Sequence, residues 1–571
     1  MWAYQPHFRV SMEHRAHEVL KELGAKLEPK ALLVGIRAPD SSGGLPECLE
    51  PEDEEWSPSL FFGCAKRCEE IYASHPDHKI FYGDEPSMRD KPVNIRKKAV
   101  LQSVDEILNK YDKGHDTQTF CGFPTRVANY YVVPALQFQR SQLAMYPRLP
   151  APIRFREWVS VPSILQSLIE GLLNEASHAL ATKEPGRFLW PIDVEKVSLL
   201  RQAAARLCYA ISLSVEDFMF QNIFDSLNAI SSLRYEGNET HGEIVFASPK
   251  SPAIACKVNL IEPVSLRQER LARKILEMSS RDLVCLCPNS DGITGLVSIR
   301  LDMMGGLFRA VFFSHYRWGL YYGDLLLMTS SFGIPTLPST PLKETDFISN
   351  IKRVLPGLSN PQCSKLLINV SAAMKQGRGT MIVVTDAAEQ EARRLHTQSL
   401  PVAPIDLTPD IVLRVSGIDG AILVNRDSQC FAIGVILDGR ATDAGDASRG
   451  ARYNSAVRYV DSSSKRTICL VVSEDGHVDM IPNLRPQINR TEIENHINQL
   501  TKQTGGNYHK TRTWLDDHRF YLTAEQCDIV NRELARIDAE PLAGCKIKIV
   551  TPLFQPHSEM NESYYLDTSC G

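Results

Sequence analysis

The chain has 571 residues, of which 43% are hydrophobic and 23% are charged, and its formal net charge at neutral pH is −5. This length predicts several domains with ordinary hydrophobic cores. The mildly acidic balance argues against nucleic acid as the main partner. Apolar runs fall short of the roughly 18 residues that span a membrane. The first residues also lack the basic start and apolar core of a signal peptide, so we expect a cytoplasmic protein with no membrane partner.

The 14 cysteines are scattered along the chain. Cys64 and Cys68 are spaced for one helix face, and Cys285 and Cys287 alternate on a predicted strand. Neither pair recurs with the second half of a zinc site, so we expect free thiols in a reducing compartment.

Residues 1–150 have the pattern of an α/β domain. The pattern predicts a helix over 13–23, a buried strand over 31–36, a strand and a turn over 81–86, and a helix over 95–111. The acidic segment 47–55 is typical of a solvated loop, with a site for a metal or a basic partner as the alternative.

The pattern then changes from helical to β-rich. Residues 151–233 are predicted to be helical, and residues 234–333 are predicted to contain five strands. A helix over 266–278 interrupts these strands and carries basic residues, namely Arg267, Arg270, Arg273 and Lys274. Such a helix face is either solvated or a contact for phosphate.

Pro335, Pro338 and Pro341 mark residues 334–346 as a linker. We expect a second α/β domain over 347–555, in which a further α/β piece covers 524–550, and a flexible tail over 556–571.

The most informative stretch is 416–480. It contains three apolar runs, each as long as one strand, separated by segments rich in Gly, Asp, Arg and Ser. Such runs are typical of strands buried on both faces of a sheet. Asp419 and Glu474 adjoin two of the runs, which we take to be neighbouring strands. Two carboxylates at one sheet edge are suited to a divalent cation that bridges phosphate oxygens, although an acid beside glycine is also typical of a solvated turn.

Glycine and arginine complete this pattern. Gly417, Gly420 and Gly450 remove side chains where the backbone turns or approaches a phosphate. Arg452 and Arg449 are suited to forked contacts with phosphate oxygens, with a solvated helix face as the alternative.

The stretch resembles the nucleotide-binding domain of diadenylate cyclases, the DisA-type domain. Asp419-Gly420-Ala421 matches the family's Asp-Gly-Ala, and Val472-Ser473-Glu474-Asp475 matches its Val-Ser-Glu-Glu strand end. The family's Gly-Thr-Arg-His-Arg is matched by Gly450-Ala451-Arg452-Tyr453-Asn454, followed by the small residues Ser455 and Ala456. The resemblance covers about 366–486, where the order and spacing of the motifs agree.

The resemblance implies a multidomain α/β protein whose C-terminal domain has a mixed sheet with helices on both faces. It implies a nucleotidyltransferase that joins two ATP molecules into cyclic di-AMP across face-to-face sites of a homo-oligomer, with Mg²⁺ or Mn²⁺. The implied catalytic residues are Asp419, Arg452 and Glu474, of which Asp419 and Glu474 also hold the metal. The implied nucleotide-binding residues are Gly417, Gly420, Ala421, Gly450, Ala451, Tyr453, Asn454, Ser455 and Ser473.

The chain departs from the family at two motif positions. Tyr453 replaces the family's His, and Asn454 replaces its second Arg, so one cation is lost from the phosphate site. Loss of one such contact costs a rate factor of about 100 or more. Arg449 or Arg458 would compensate. The alternatives are a domain that binds nucleotide without turnover, and a scaffold for the N-terminal half.

The β-rich segment resembles the sensor-type regions that precede DisA-type domains in bacterial defence-associated proteins. The similarity lies in 273–277 and 291–296. It implies that the N-terminal half senses a stimulus and controls a second messenger in antiviral defence.

Overall fold

The computed structural model describes residues 1–53, 56–188, 192–237, 240–280, 282–338, 342–375, 379–440, 450–473, 476–504, 508–539 and 552–566. The chain divides into two compact units, Met1–Thr340 and Pro341–Gly571. The division lies within the linker predicted over 334–346, although the first part of that linker is a strand of the N-terminal unit.

The helices, in chain order, are α1 (Gln5–Leu23), α2 (Cys64–Ser74), α3 (Glu85–Gly114), α4 (Arg140–Leu143), α5 (Ile164–Leu180), α6 (Lys196–Ser214), α7 (Ile223–Ser232), α8 (Glu269–Leu276), α9 (Glu344–Val354), α10 (Asn360–Lys375), α11 (Ala388–Arg394), α12 (Pro409–Val415), α13 (Ala451–Ser462), α14 (Arg490–Leu500), α15 (His509–Asp517) and α16 (Ala524–Asp538).

The strands are β1 (Lys30–Arg37), β2 (Glu47–Glu50), β3 (Thr117–Cys121), β4 (Thr125–Val127), β5 (Tyr130–Gln139), β6 (Arg154–Phe155), β7 (Trp158–Val159), β8 (Gly242–Phe246), β9 (Ile254–Val264), β10 (Val284–Cys287), β11 (Ile293–Ile299), β12 (Phe308–Ser314), β13 (Arg317–Tyr322), β14 (Leu325–Ser331), β15 (Ile334–Thr336), β16 (Thr380–Thr385), β17 (Leu400–Asp406), β18 (Ala421–Val424), β19 (Gln429–Val435), β20 (Thr467–Val472) and β21 (Val478–Ile481).

The N-terminal unit contains two larger sheets. The first is antiparallel, with the order β2-β1-β5-β3 and β4 paired to β5. Alternate residues of β1 enter different cores: Leu33 packs with α1 and α5, whereas Val34 packs with α2 and α3. Both faces of this sheet are therefore covered, as an uninterrupted apolar strand requires.

The second sheet has the order β15-β14-β13-β12-β8-β10-β11-β9. One hydrophobic cluster runs from Phe8 through α5, α6 and α7 to Leu337 and includes residues of both sheets. Packing therefore joins the predicted segments 1–150, 151–233 and 234–333 into one unit.

Three local predictions in the N-terminal unit are wrong. Residues 81–84 form no strand; Phe81 is 87% exposed and α3 begins at Glu85. The acidic segment 47–55 begins with strand β2. Arg273 of the basic helix α8 is 1% exposed, and its Nε donates to the Leu233 carbonyl, so this arginine is a core residue and lies on no solvated face.

The C-terminal unit is built on a six-stranded sheet with the order β17-β19-β18-β16-β20-β21. β16 and β18 are parallel and the other pairs are antiparallel. Ile382 and Val384 of β16 pack into a core with α9, α10 and α12, whereas Met381 and Val383 pack into a core with α11 and α13. The predicted mixed sheet with helices on both faces is thus confirmed.

A separate core follows the sheet. It is formed by α14, α15, α16 and the segment 552–566, in which Phe554, Tyr564 and Tyr565 are buried. Residues 556–566 therefore pack against helices, in contrast to the flexible tail predicted from residue 556. Of the α/β piece predicted over 524–550, the structure describes α16 and Ala539, and residues 540–550 lie outside the described residues.

Candidate functional site

The predicted motifs meet at one edge of the six-stranded sheet. Ala421 at the start of β18 and Val471 near the end of β20 are both register partners of Met381 in β16. Because β18 is parallel and β20 antiparallel to β16, the segment before Ala421 and the segment after Val472 reach the same edge. The sequence suggested that β18 and β20 are neighbours. They are not, because β16 lies between them.

Asp419 occupies this edge in the turn between α12 and β18, and its side chain is 90% exposed. Gly420 next to it has φ of +113°, and a Cβ there would lie 2.5 Å from the backbone carbon of Gly434. Gly420 thus allows two backbones to approach closely, which places Asp419 at the strand entry. Gly417 is exposed in the same turn, and Ala421 is fully buried in the core beneath α13.

Helix α13 begins at the same edge. Its N-cap is Gly450, which has no side chain to cap the helix. The first turn, which is described in full, contains no acidic residue. The first backbone N–H groups of a helix lack partners within the helix, and its dipole favours an anion there. The start of α13 is therefore suited to phosphate, as predicted for Gly450 and Ala451.

Arg452 in the first turn of α13 reaches across the start of β16. Its Nη2 donates to Asp419 Oδ1 at 3.0 Å. A Cβ on Gly379 would lie 2.7 Å from Arg452 Nη1, so the guanidinium rests on a position without a side chain. Its Nε is buried with no hydrogen-bond partner among the described residues. Arg452 and Asp419, two of the three predicted catalytic residues, are thus in direct contact.

The substituted motif residues follow on α13. Tyr453 is half-buried and packs against the core between α13 and the sheet. Asn454 Nδ2 donates to the Gly450 carbonyl at 3.4 Å, and Ser455 is half-buried. In this structure, Tyr453 contributes to packing and Asn454 bonds within its own helix turn.

Ser473 closes the turn between β20 and β21. Its Oγ accepts from the His477 backbone N–H at 3.0 Å, and its backbone N–H donates to the His477 carbonyl at 2.8 Å. Glu474, predicted as a catalytic residue and metal ligand, lies outside the described residues, as does Arg449.

Among the residues that the structure describes, no group of three or more His, Cys, Asp or Glu side chains is arranged to hold a metal ion. Mg²⁺ in nucleotide sites commonly takes one or two carboxylates and completes its shell with phosphate oxygens and water. The exposed Asp419 carboxylate fits that donor chemistry.

Two glycines that shape this edge were not among the predicted site residues. Gly379 gives room to Arg452, and Gly434 gives room to Gly420. The available signal was weak, because each glycine simply adjoins or interrupts an apolar run. Arg458, considered as a compensating cation, is exposed, and its backbone packs against Gly439 at a distance from this edge.

Three family models match the chain. Residues 368–484 match the DisA bacterial checkpoint controller nucleotide-binding family, DAC. Residues 1–208 match the probable sensor domain DACNG, and residues 221–324 match the probable sensor domain DACNH. No curated protein matches the chain.

Two solved structures are similar to part of the chain. A hypothetical membrane spanning protein from Bacillus cereus is 20% identical over 24% of this chain and 66% of its own, just under two thirds, with a TM-score of 0.20. A double cysteine mutant of DacA from Staphylococcus aureus is 16% identical over 24% of this chain and 90% of its own, with a TM-score of 0.18. At these TM-scores, neither structure informs the fold.

The C-terminal unit thus carries a DisA-type nucleotide-binding domain, and two sensor-type domains precede it. The protein is a diadenylate cyclase-like nucleotide-binding protein with a sensor region. In the described part of the chain, every helix is too short or too polar to cross a membrane.

Proposed function

We propose that this protein condenses two ATP molecules into cyclic di-AMP or a related dinucleotide, under control of its N-terminal sensor domains. The observation that carries the proposal is the contact between Arg452 and Asp419 at the start of α13. It places a cation, a carboxylate and the N-terminus of a helix at one sheet edge, within the DisA-type domain.

The role proposed for each residue follows from its charge. Arg452 and the first N–H groups of α13 would bind the triphosphate, whose oxygens replace Asp419 as the partner of the guanidinium. Asp419, released from Arg452, would accept the hydrogen bond of the attacking 3′-hydroxyl. A bound Mg²⁺ or Mn²⁺, held by Asp419 and Glu474, would offset the charge of the triphosphate.

In the reaction, the 3′-oxygen of one ATP forms a bond to the α-phosphorus of the other. The bond from that phosphorus to the bridging α,β-oxygen breaks, pyrophosphate leaves, and the hydroxyl proton passes to the carboxylate or to water. Catalysis of this kind depends mainly on positioning and charge neutralisation.

A cyclic product requires two ATP molecules whose 3′-hydroxyls face each other's α-phosphates. The 90% exposure of the Asp419 side chain leaves that side of the site open to a second protomer. We therefore expect a homo-oligomer with face-to-face sites, whose rate falls more steeply than protein concentration on dilution. A rate strictly proportional to concentration across the dimerisation range would exclude this arrangement.

The deciding experiment incubates the purified full chain with ATP and either Mg²⁺ or Mn²⁺ and identifies the products by mass. We expect a cyclic dinucleotide and pyrophosphate from the wild type, and a loss of both in Asp419→Asn. The same product pattern from both proteins would contradict the assignment of Asp419.

A second candidate function is nucleotide binding without turnover. It is favoured by Asn454, which replaces a cation and bonds to the Gly450 carbonyl in its own helix turn. It predicts saturable binding of ATP or a cyclic dinucleotide with no release of pyrophosphate in the same experiment.

A further inference from the structure

A polar cluster outside the site connects α13 to the rest of the domain. It consists of Tyr459 on α13, Glu391 and Arg394 on α11, and Asp438 after β19, and we call it the α13 clamp. Tyr459 Oη donates to Glu391 Oε2 at 2.8 Å. Arg394 donates to the two oxygens of Asp438 at 2.6 and 2.8 Å, and its Nη2 donates to Glu391 Oε2 at 2.7 Å.

The clamp is held by charge and burial. Tyr459 is 2% exposed; burial first, and then its bond to Glu391, raise the pKa of its hydroxyl well above the ordinary value. The hydrogen bonds from Arg394 lower the pKa of Asp438. Burial opposes ionisation of Glu391, but the bonds from Arg394 and Tyr459 outweigh it, so its pKa is also lowered. The tyrosine is therefore neutral and both carboxylates are charged at neutral pH.

The backbone reinforces these contacts. A Cβ on Gly439 would lie 2.5 Å from the Arg458 carbonyl carbon, so the segment after β19 rests directly on α13. The Arg440 backbone N–H donates to Ser462 Oγ at 3.1 Å. The last two turns of α13 are therefore fixed on two sides.

The first turn of α13 carries Arg452, seven residues before Tyr459. Residues seven apart lie on the same helix face, about 10 Å apart along the axis. A helix held at Tyr459 cannot rotate or slide without moving Arg452 away from Gly379 and Asp419. The clamp and the Arg452 contact thus lie at two ends of one rigid element.

We propose that Tyr459, Glu391, Arg394 and Asp438 are positioning residues, which set the place of α13 and thereby hold Arg452 at the nucleotide phosphates. This proposal rests on the proposed function for its ligand. The clamp residues touch neither Arg452 nor Asp419, so they act through the helix.

The test measures binding of 3′-deoxy-ATP, which lacks the attacking hydroxyl and cannot turn over. In the full chain, Tyr459→Phe removes one hydroxyl and should weaken binding about 5-fold, the factor that corresponds to one ordinary hydrogen bond. In an Arg452→Gln background, the same change should alter binding less than about 2-fold, because the clamp acts through Arg452. Equal effects in both backgrounds would overturn the proposal.

Arg426→Gln is the matched control. It removes a forked Arg–Asp contact at the opposite edge of the same sheet and should leave 3′-deoxy-ATP binding unchanged. If it weakens binding as much as Tyr459→Phe does, the clamp has no specific role.

Hydrogen exchange separates this proposal from the proposed function. Tyr459→Phe should speed exchange of the amides of 454–458 in the absence of any nucleotide, and Arg426→Gln should not. Unchanged exchange in Tyr459→Phe would overturn the clamp. If the wild type binds no nucleotide but Tyr459→Phe still exchanges faster than the wild type, the clamp is retained and the proposed function is rejected.

Discussion

The two edges of the six-stranded sheet each carry an Arg–Asp pair, and the pairs differ in how many of the arginine's donors have a hydrogen-bond partner. At the edge opposite the site, Arg426 forks onto Asp386 and also donates to the Pro356 carbonyl at 2.7 Å. At the site edge, Arg452 makes one bond to Asp419 and keeps a buried Nε without a partner among the described residues. In the described part of the chain, each guanidinium nitrogen of Arg426 donates to a protein group, whereas the Nε of Arg452 does not.

The hydroxyl groups around the two pairs can be compared in the same way. Opposite the site, the hydroxyls of Thr385 and Thr467 bond to each other at 3.0 Å, and Thr385 also donates to the Arg466 carbonyl at 3.2 Å. At the site edge, the Oγ of Thr380, at the other end of β16, is buried without a partner in the described part of the domain. The opposite edge also has a buried hydroxyl without a partner in the described residues, Ser428 Oγ, so the hydroxyls do not distinguish the two edges. The buried Arg452 Nε does distinguish them, because an unsatisfied charged donor is costly unless a ligand uses it.

The largest effect is expected where the site edge depends on glycine. Gly420→Ala forces a side chain into a backbone with φ of +113° and to 2.5 Å from Gly434. We expect a loss of about 2–4 kcal/mol in the free energy of opening of β18, from backbone strain and the clash together. Native-state hydrogen exchange of the β18 amides measures it.

Gly450→Ala is the control for that substitution, because a Cβ there would meet no atom of the described residues within 4 Å. It should cost less than about 1 kcal/mol, as expected for an N-cap change. A comparable loss in both variants would show that the close approach of Gly420 and Gly434 is not what stabilises the strand entry.

Substitution of Arg452 should weaken nucleotide binding, whereas substitution of Arg426 should lower stability. Arg452→Gln should weaken 3′-deoxy-ATP binding about 10- to 100-fold, since a charge-assisted contact to phosphate is lost, with little change in thermal midpoint. Arg426→Gln should lower the thermal midpoint and leave binding unchanged. Calorimetric titration and thermal denaturation of the two variants give both quantities; weaker binding in Arg426→Gln would remove the distinction between the edges.

Gly379→Ala should have a smaller effect. The new Cβ would lie 2.7 Å from Arg452 Nη1, the far end of a flexible side chain, so the arginine can move at little cost in stability. We expect the displaced guanidinium to weaken 3′-deoxy-ATP binding about 3- to 5-fold. In the Arg452→Gln background, the substitution should have no further effect, and an additive loss would show that Gly379 acts by another route.

The sequence predicted the sheet because apolar runs are local signals, and it predicted a candidate site from Asp-Gly-Ala and the small residues around Arg452. Residues such as Ile382 and Met381 alternate between two cores, so a run apolar on both faces indicates a central strand. The strand order was not predictable, because pairing across β16 depends on contacts distant in sequence. For the same reason the contact between Arg452 and Asp419, which are 33 positions apart, was not visible.

The N-terminal unit was predicted less well, and packing explains why. Strands such as β13 and β14 lie in a sheet whose core also includes α6 and α7, so hydrophobic packing extends across the predicted segments and is not visible in the local pattern. Arg273 was expected on a helix face that was either solvated or a contact for phosphate, because charge alone was considered. Its burial depends on the Leu233 carbonyl, 40 positions away.

The smallest expected effect concerns pH at the edge opposite the site. The hydrogen bonds from Arg426 hold the pKa of Asp386 below its ordinary value of 3.8. A carboxylate with a lowered pKa stabilises the fold above its ordinary pKa, and this stabilisation is lost as pH falls through the lowered value.

Because the pair is partly exposed and screened, Asp386→Asn should lower the thermal midpoint by only about 1–3 °C at pH 6. The difference from the wild type should shrink as the pH is lowered below about 4 and stay constant between about pH 6 and 8. Thermal denaturation of both proteins across this pH range measures it, and a difference that grows toward low pH would contradict the role assigned to Asp386.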